Sequence, residues 1–305
     1  MSSRELVVLG TASQVPTRHR NHNGYFLRWD DVGVMVDPGE GTQRQMTLHG
    51  VRTSRIHHIC ITHFHGDHCL GLAGIIQRIS LDAVPHDVQV HYPASGQVYF
   101  ERLRHASIFV DRSRIVPRPI EESGIVADDG KLRIRTAKLE HTVPCWGYRV
   151  EEPDGRKMLP QRLAELGVKG RAVRDLIRQG ELELDDGRVV RVDQVSEPRP
   201  GQAFAFVMDT RRCDAAVDLA RGADMLVAES TYLSDYQREA RERGHMTATD
   251  AARVAKDAGA RQLVLTHFSQ RHPRTEDFVA EAIRIHPDVL AVRDGDRVSV
   301  PPRRK

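Results

Sequence analysis

The amino-acid sequence predicts an α/β fold for this 305-residue chain, and three observations support that prediction. Short apolar runs typical of buried strands alternate with segments of helical periodicity. The hydrophobic content of 40% is sufficient for a sizeable core. Polar residues directly follow several strand-like runs, as they do where the side chains of an α/β sheet converge on one edge. The length fits one large domain or one domain that carries an insertion.

In the first half of the chain, strand-like and helical runs alternate. The apolar runs that predict strands are Leu6–Leu9, Tyr25–Trp29, Val32–Val36, His58–Thr62, Val88–Tyr92, Lys131–Leu139 and Gly147–Val150. The runs that predict helices are Thr42–Leu48, Ala73–Leu81 and Ser95–Ala106. A tight loop at Asp37-Pro38-Gly39-Glu40-Gly41 precedes the first of these helices.

The second half returns to the same rhythm from about residue 203. Its strand predictions are Ala203–Met208, Met225–Glu229, Gln262–Thr266 and Val289–Arg293. Helices are predicted over Thr247–Gly259 and Glu276–Ile285, and Thr247 is expected to cap the first of them because its hydroxyl can accept a free backbone N–H.

Between these halves, residues 151–200 differ in character, because apolar residues become sparse and charges crowd together. Two short helices that each end at a glycine, Leu159–Gly167 and Val168–Gly180, are predicted there. Glu181–Val192 is predicted to form a hairpin that turns at Asp185-Asp186-Gly187. We therefore expect one domain over residues 1–305 with an inserted arm at 151–200 that has little core of its own.

Composition excludes some classes of protein and leaves others open. A net charge of +3 and a pI near 8.7 permit an anionic partner without requiring one. No apolar run is long enough to cross a bilayer, and the N-terminus lacks the pattern of a signal peptide. Four scattered cysteines are typical of reduced thiols. We expect a cytoplasmic protein with no membrane partner.

The densest chemical signal is the stretch Thr62-His63-Phe64-His65-Gly66-Asp67-His68. It lies between a predicted strand and an apolar helical run, so it occupies a turn that can direct several side chains at one point. Imidazole nitrogens and carboxylate oxygens are ligands that zinc binds, and manganese accepts them too. The stretch therefore predicts a metal site.

Three further polar residues follow predicted strands: His141, Asp209 and His267. Any one of them could be an ordinary hydrogen-bonded residue. Together with the cluster they make seven candidate ligands, enough for two incomplete shells that share one carboxylate, as in a two-metal hydrolytic site. A purely structural zinc site would more often use four closed ligands, frequently cysteines, and no cysteine has that spacing here.

These residues resemble a known family. The pattern His-x-His-x-Asp-His with later His, Asp and His resembles the metallo-β-lactamase superfamily, and within it the ribonuclease Z family of tRNA 3′-processing endonucleases. The segments that carry the closer resemblance are Leu9–Ser13, Pro16–Asn21, Asp37–Gln45 and Gly244–Ala248. The family arm usually carries a Gly-Pro pair, whereas this chain has Val168-Lys169-Gly170-Arg171-Ala172.

The resemblance implies a four-layer αββα sandwich and two zinc ions per subunit. By the same resemblance, one zinc would be held by His63, His65 and His141, the other by Asp67, His68 and His267, with Asp209 as the bridge. His245 would be catalytic, as a general acid or a donor to the phosphate, and Asp67 would also act as a general base. Cleavage of precursor tRNA would leave a 3′-hydroxyl on the tRNA and a 5′-phosphate on the trailer. The resemblance also implies a homodimer.

The arm is not basic overall, since residues 151–199 contain ten Lys and Arg against eleven Asp and Glu. Four of its cations nevertheless cluster, and three have the spacing of one helix face. The candidates for RNA contact are Lys169, Arg171, Arg174 and Arg178 in the arm and Arg18 and Arg20 in an early loop. The alternative is a solvated helix and a soluble loop.

Two other functions compete with this hypothesis. One is a metal-dependent phosphodiesterase of small substrates on the same fold, which the shared ligands cannot distinguish and which would not need an arm. The other is an RNA-binding or scaffold protein on a retired hydrolase fold, against which the full ligand set argues.

Overall fold

The structure is a computed structural model that describes residues 4–303. The strands in this range are β1 (Arg4–Gly10), β2 (Gly24–Trp29), β3 (Val32–Val36), β4 (Ile56–Cys60), β5 (Val88–Pro93), β6 (Ile115–Ile120), β7 (Gly124–Asp128), β8 (Arg133–Leu139), β9 (Cys145–Glu151), β10 (Gly155–Met158), β11 (Glu181–Glu183), β12 (Val189–Arg191), β13 (Ser196–Arg199), β14 (Ala203–Val207), β15 (Met225–Glu229), β16 (Gln262–Thr266), β17 (Val289–Ala291) and β18 (Arg297–Ser299). The helices are α1 (Thr42–Leu48), α2 (Gly66–Cys69), α3 (Leu72–Leu81), α4 (Gln97–Arg104), α5 (Pro160–Glu165), α6 (Arg171–Gln179), α7 (Asp214–Ala220), α8 (Gln237–Arg243), α9 (Ala248–Ala258) and α10 (Thr275–Ala282).

Two seven-stranded mixed sheets form the main unit, which comprises residues 4–151 and 203–302. The first has the order β18-β1-β2-β3-β4-β5-β6, and the second has the order β17-β16-β15-β14-β9-β8-β7. In each sheet one half is antiparallel and the other half is parallel, as in the parallel run from β14 to β17. The helices that connect the parallel strands then cover the outer faces.

Three apolar layers hold these elements together. The layer between the sheets contains large side chains from both, including Trp29, Trp146 and Phe206. A second layer packs α1, α3 and α4 on the first sheet, and a third packs α7, α9 and α10 on the second. The resulting order of helices, sheet, sheet and helices is the predicted αββα sandwich, which the structure confirms.

The predicted elements agree best with the observed ones where the sequence has a strong local signal, such as a clear period or a capping residue. α1 and β3 have the predicted bounds, and Thr247 caps α9 by accepting a hydrogen bond from the backbone N–H of Asp250 at 3.2 Å. In the main unit, the elements that sequence reasoning missed are β6, β7, β18, α2, α7 and α8. β6 contains two prolines, which a strand tolerates at the edge of a sheet, where this strand lies.

Residues 152–202, with Arg303, form a second compact unit. This unit begins one residue after and ends two residues after the predicted arm at 151–200. The predicted hairpin is present as the antiparallel pair β11–β12, and β10 and β13 form a further pair that was not predicted. The core of this unit is small, because a single cluster of five buried residues packs within it: Leu163, Val168, Leu176, Val190 and Val195.

No helix within residues 4–303 is both long and apolar enough to span a membrane.

Candidate metal centre and catalytic site

The predicted ligands lie where strands end on one edge of the main unit. His63 follows β4, His141 follows β8, Asp209 follows β14 and His267 follows β16. Asp209 and His267 adopt left-handed backbone conformations with φ of 43° and 62°. Such conformations are costly for residues other than glycine and are found where the surrounding structure imposes them, often at functional sites. The turns thus direct these side chains inward at a conformational cost.

One group of nitrogens converges beside Asp209. His63 Nε2 lies 2.9 Å from His65 Nδ1, which lies 3.4 Å from His141 Nε2. Asp209 Oδ2 is 3.6 Å from His63 Nε2 and 3.8 Å from His141 Nε2. The structure therefore brings together the four residues that the resemblance assigns to the first metal.

A second group lies on the other side of the same carboxylate. Asp67 Oδ2 is 3.2 Å from His68 Nε2 and 3.4 Å from His267 Nε2. Asp209 approaches both histidines, with Oδ2 3.3 Å from His68 Nε2 and Oδ1 3.2 Å from His267 Nε2. Asp209 thus lies between the two groups, in the position that a bridging ligand would occupy.

Hydrogen bonds at the opposite ring nitrogens orient four of the histidines. His141 Nδ1 donates to the carbonyl oxygen of Gly244 at 2.9 Å, which places the lone pair on Nε2. The other three Nδ1 contacts are His63 with Thr62 Oγ1 at 3.0 Å, His68 with Asp37 Oδ2 at 2.9 Å and His267 with Thr231 Oγ1 at 2.8 Å. Metal-binding histidines are oriented in this way by a second shell of partners.

The donor set fits metal ions. Asp209 Oδ1 and His267 Nε2 are buried and 3.2 Å apart, yet neither forms a hydrogen bond within the described residues, and a bound cation would satisfy both. His65 Nδ1 lies 2.9 Å from His63 Nε2 and 3.4 Å from His141 Nε2. The lone pairs of these nitrogens would repel one another unless a proton or a cation lay between them. Nitrogen and carboxylate donors without a thiolate suit zinc and also manganese.

The electrostatics of the protein alone favour binding of a cation. Burial lowers the pKa of His65 and His141, and burial together with the charge of His68 holds the pKa of His63 well below its usual value. Burial would raise the pKa of Asp209, but His267 and His68 outweigh it and hold that pKa well below the ordinary range. Neutral imidazoles and ionised carboxylates are the forms that coordinate metals. His68 is the exception: burial lowers its pKa, but the carboxylates of Asp209, Asp67 and Asp37 outweigh burial and raise the pKa well above its usual value, so a bound cation would have to displace its proton.

His245 lies beside the metal-ligand candidates but has a different partner. Its Nδ1 is 3.0 Å from Glu229 Oε1 and 3.9 Å from Asp209 Oδ2. Burial lowers the pKa of His245, yet the Glu229 and Asp209 carboxylates outweigh it and raise the pKa to about 9. His245 is therefore protonated at neutral pH in the protein alone, which suits a proton donor or a phosphate contact.

Sequence reasoning missed the residues that hold the candidates in place. Glu229 ends β15, and Asp37 opens the Asp37–Gly41 loop. Both are polar residues directly after apolar strands, so the signal that identified Asp209 and His267 would have identified them as well. Asp37 also has a left-handed φ of 44°.

A cavity of about 410 Å³ opens above the cluster. Its walls include His65, Asp67, His141, Asp209, His245 and His267. Arg243 and Arg271, which the sequence did not single out, also line it and are exposed. The same cavity is thus lined by the metal-ligand candidates and by two arginines whose positive charge can face a phosphate.

The predicted RNA contacts differ in their surroundings. Arg18 is exposed, whereas Arg20 is buried and donates to the carbonyl oxygens of His272 and Pro273 at 2.9 and 3.0 Å. The guanidinium of Arg20 is thus engaged within the protein, so the structure supports a structural role for it in place of the predicted phosphate contact.

In the arm unit, Lys169 and the three α6 arginines are exposed. Asp175 Oδ2 lies 3.8 Å from Arg171 Nε, and Asp175 Oδ1 lies 3.1 Å from Arg178 Nη2. Two of the three arginines thus form ion pairs on the helix surface, as expected for a solvated helix. Exposed pairs of this kind contribute little to stability and leave the cations accessible.

Comparison with known proteins identifies the superfamily and the fold. Residues 17–154 match the model of the metallo-β-lactamase superfamily, and residues 190–268 match that of a β-lactamase superfamily domain. The fold resembles the crystal structure of the short form of human tRNase Z, with a TM-score of 0.72, 23% identity, and coverage of 98% of this chain and 100% of that one. The fold and the histidine cluster together define a member of this metal-dependent hydrolase superfamily.

Full-length relatives make the assignment more specific. The chain is 56% identical to a ribonuclease Z of Nocardia farcinica, with 100% of both chains covered. It is 54% identical to a ribonuclease Z of Streptomyces avermitilis, over 99% of this chain and 100% of that one. The chain belongs to the ribonuclease Z family, which confirms the resemblance predicted from its motifs.

Proposed function

We propose that this protein is an endoribonuclease that removes the 3′ trailer from tRNA precursors, using two zinc ions held at the strand ends. The observation that carries the proposal is the placement of six candidate ligands in two groups of three on either side of Asp209, with the protonated His245 beside them. Membership of the ribonuclease Z family supports the choice of substrate.

Each residue then has a role in phosphodiester hydrolysis. Bound zinc ions would lower the pKa of water toward neutrality and neutralise charge on the phosphate. Asp67 would orient the attacking water and accept its proton. His245 would donate a proton to the leaving 3′-oxygen, or to a phosphate oxygen, and Glu229 would hold the ring in position. Arg243 and Arg271 would contact the flanking phosphates.

The test is incubation with a precursor tRNA that carries a 3′ trailer, followed by mapping of both new ends. We expect a tRNA with a 3′-hydroxyl, cut at or near the discriminator nucleotide, and a trailer with a 5′-phosphate. Hydrolysis of a small phosphodiester with no cleavage of the precursor would instead support the small-substrate alternative.

Zinc is the proposed metal, at two ions per subunit, and manganese is the alternative. Elemental analysis of the purified protein should give two metal ions per chain, and a chelator should abolish cleavage. Asp209→Ala should lose most of both ions, whereas the exposed His105→Ala should keep them. A protein that is active after complete removal of metal would contradict the assignment.

We also propose that the protein acts as a homodimer in the cytoplasm, where its substrate is made, with the arm of one subunit gripping RNA whose end lies in its partner's site. Leu81 and Val110 line one groove and are 81% and 73% exposed, so together they form an apolar surface that the second subunit would cover. Light scattering should give twice the chain mass. Val110→Glu should give the mass of a monomer, whereas Ile125→Glu, at another exposed apolar residue, should not.

A further inference from the structure

A second recess adjoins the catalytic cavity. It measures about 310 Å³, and we call it the aromatic recess because Phe64 and Tyr99 line it together with Val143 and Pro144. His65 lines both the catalytic cavity and the aromatic recess. One continuous surface therefore leads from the metal-ligand candidates to an apolar recess.

Local sequence builds this recess from the histidine cluster itself. Phe64 lies between His63 and His65, so its backbone is held close to the metal-ligand candidates. Gly96 allows the ring to lie there, because a Cβ at Gly96 would come within 2.1 Å of the Phe64 ring. The ring also meets Tyr92 edge-on, with centroids 6.0 Å apart and planes at 74°.

The outer wall of the recess is an exposed tyrosine. Tyr99 lies on α4, is 49% exposed, and has its ring centroid 5.8 Å from that of Phe64. The Arg102 guanidinium carbon lies 5.9 Å from the Tyr99 ring centroid and is exposed as well. An aromatic face beside an arginine is suited to a nucleotide, since the base can stack on the ring while the cation faces a phosphate.

We propose that the aromatic recess receives the base of a nucleotide that flanks the scissile phosphate and stacks it on Tyr99. This inference rests on the proposed function, because it requires an RNA chain to be bound at the metal-ligand candidates. The occupant is a nucleobase of the substrate because the recess continues from the catalytic cavity through His65. Stacking of this kind is tolerant of sequence, since every base has an aromatic face.

The experiment measures single-turnover cleavage of precursor tRNA by the wild-type protein and by Tyr99→Ala, Tyr99→Phe and Val98→Ala. Three substrates are compared: the intact precursor, one with an abasic nucleotide on the 5′ side of the scissile phosphate, and one with it on the 3′ side. Val98 is the matched control, because it is also on α4 and 49% exposed but does not line the recess. Metal content and thermal melting of each variant show that the site and fold are intact.

We expect Tyr99→Ala to reduce kcat/KM on the intact precursor by about tenfold, the usual scale of one base–aromatic stack. Tyr99→Phe should retain the rate, and Val98→Ala should not change it. On the abasic substrate that lacks the stacked base, the wild-type protein and Tyr99→Ala should cleave at the same rate.

Two results would overturn the proposal. One is equal cleavage of the intact precursor by Tyr99→Ala and the wild-type protein. The other is the same loss for Tyr99→Ala on the intact and on both abasic substrates, which would assign Tyr99 a structural role. If the wild-type protein left every precursor uncut, that result would contradict the proposed function. The proposal of base binding in the aromatic recess would then be refuted as well, because it rests on that function.

Discussion

Single side chains decide which ring nitrogen each histidine presents to the site. Thr62, Asp37 and Thr231 contact Nδ1 of their histidines and leave Nε2 directed inward. Partners of this kind orient the ring and tune its basicity. At this scale the predictions concern the two groups proposed to move protons, Asp67 and His245.

Asp67→Ala should reduce the cleavage rate by several orders of magnitude, because it removes both a proposed ligand and the proposed base. Binding of precursor tRNA should be largely intact, since the arm and the surface arginines are unchanged. Single-turnover cleavage and a filter-binding assay on one preparation measure the two effects. If binding were lost along with cleavage, Asp67 would be a structural residue.

Glu229→Gln should reduce kcat by about tenfold or more, because proton transfer by a positioned side chain contributes roughly 10²–10⁴-fold and Glu229 positions that side chain. His245→Ala should reduce kcat further, while the metal content of both variants should equal that of the wild-type protein. Loss of metal from Glu229→Gln would show that Glu229 supports the ligands and not His245.

At the scale of elements, the ends of strands and one helix face carry the function. The strands β4, β8, β14 and β16 each end at or just before a candidate ligand. In the arm unit, Arg171, Arg174 and Arg178 share one face of α6, and all three are exposed. The proposal that this face follows an RNA backbone makes two predictions.

Replacing these three α6 arginines by glutamine should raise KM for precursor tRNA about tenfold and leave kcat nearly unchanged. In a plot of the logarithm of the binding constant against the logarithm of the salt concentration, each lost phosphate contact should also reduce the slope by about one unit. Arg188→Gln is the control, because Arg188 is exposed in the same unit but lies between β11 and β12 and not on the α6 face. An unchanged salt slope in the triple variant would refute the phosphate contacts.

Removal of the arm should affect activity on a large substrate and not activity on a small one. The backbone N–H of Glu152 donates to the carbonyl oxygen of Gln202 at 3.1 Å, so a short Gly-Ser linker can replace residues 153–201. Precursor cleavage should be lost, while hydrolysis of a small chromogenic phosphodiester should be retained. Equal loss of both activities would contradict a docking role for the arm.

At the scale of the whole molecule, the interior of the first sheet contains a polar pair that responds to pH. His58 on β4 and His91 on β5 are buried, with His58 Nδ1 3.1 Å from His91 Nε2. Burial and the charge of His57 lower the pKa of His58 to about 4, and burial and the charge of His58 lower that of His91 to about 3. Both rings are therefore neutral in the folded protein.

The sign of the pH effect follows from these pKa values. Between about pH 6.5 and pH 4 the unfolded chain binds protons at these histidines that the folded protein does not, so the free energy of unfolding falls as pH falls. At about pH 5 the loss is about 2 kcal/mol for one such histidine. Above about pH 6.5 the pair has no such effect.

Urea unfolding at about pH 7 and about pH 5 tests this contribution. The double variant His58→Leu/His91→Leu should lose less stability between the two pH values than the wild-type protein. His105→Gln, at an exposed histidine, should behave like the wild-type protein. An identical pH dependence of the double variant and the wild-type protein would exclude the pair as the cause.

The sequence by itself determined the α/β fold class, the approximate positions of most elements, the metal-ligand candidates and the family. These signals are local: strand and helix periods repeat within a few residues, and the His63–His68 turn places its donors in one short segment. Even His141, Asp209 and His267 were identifiable, because each directly follows an apolar strand.

Only the tertiary structure decided which distant residues meet. It paired His245 with Glu229, oriented His68 with Asp37 and buried Arg20 against a backbone loop. It also packed Leu163 against Leu176 and their neighbours in the small core of the arm, and it placed Tyr99 beside Phe64. These contacts join residues far apart in the chain, and they depend on how the sheets and helices pack, which no local periodicity specifies.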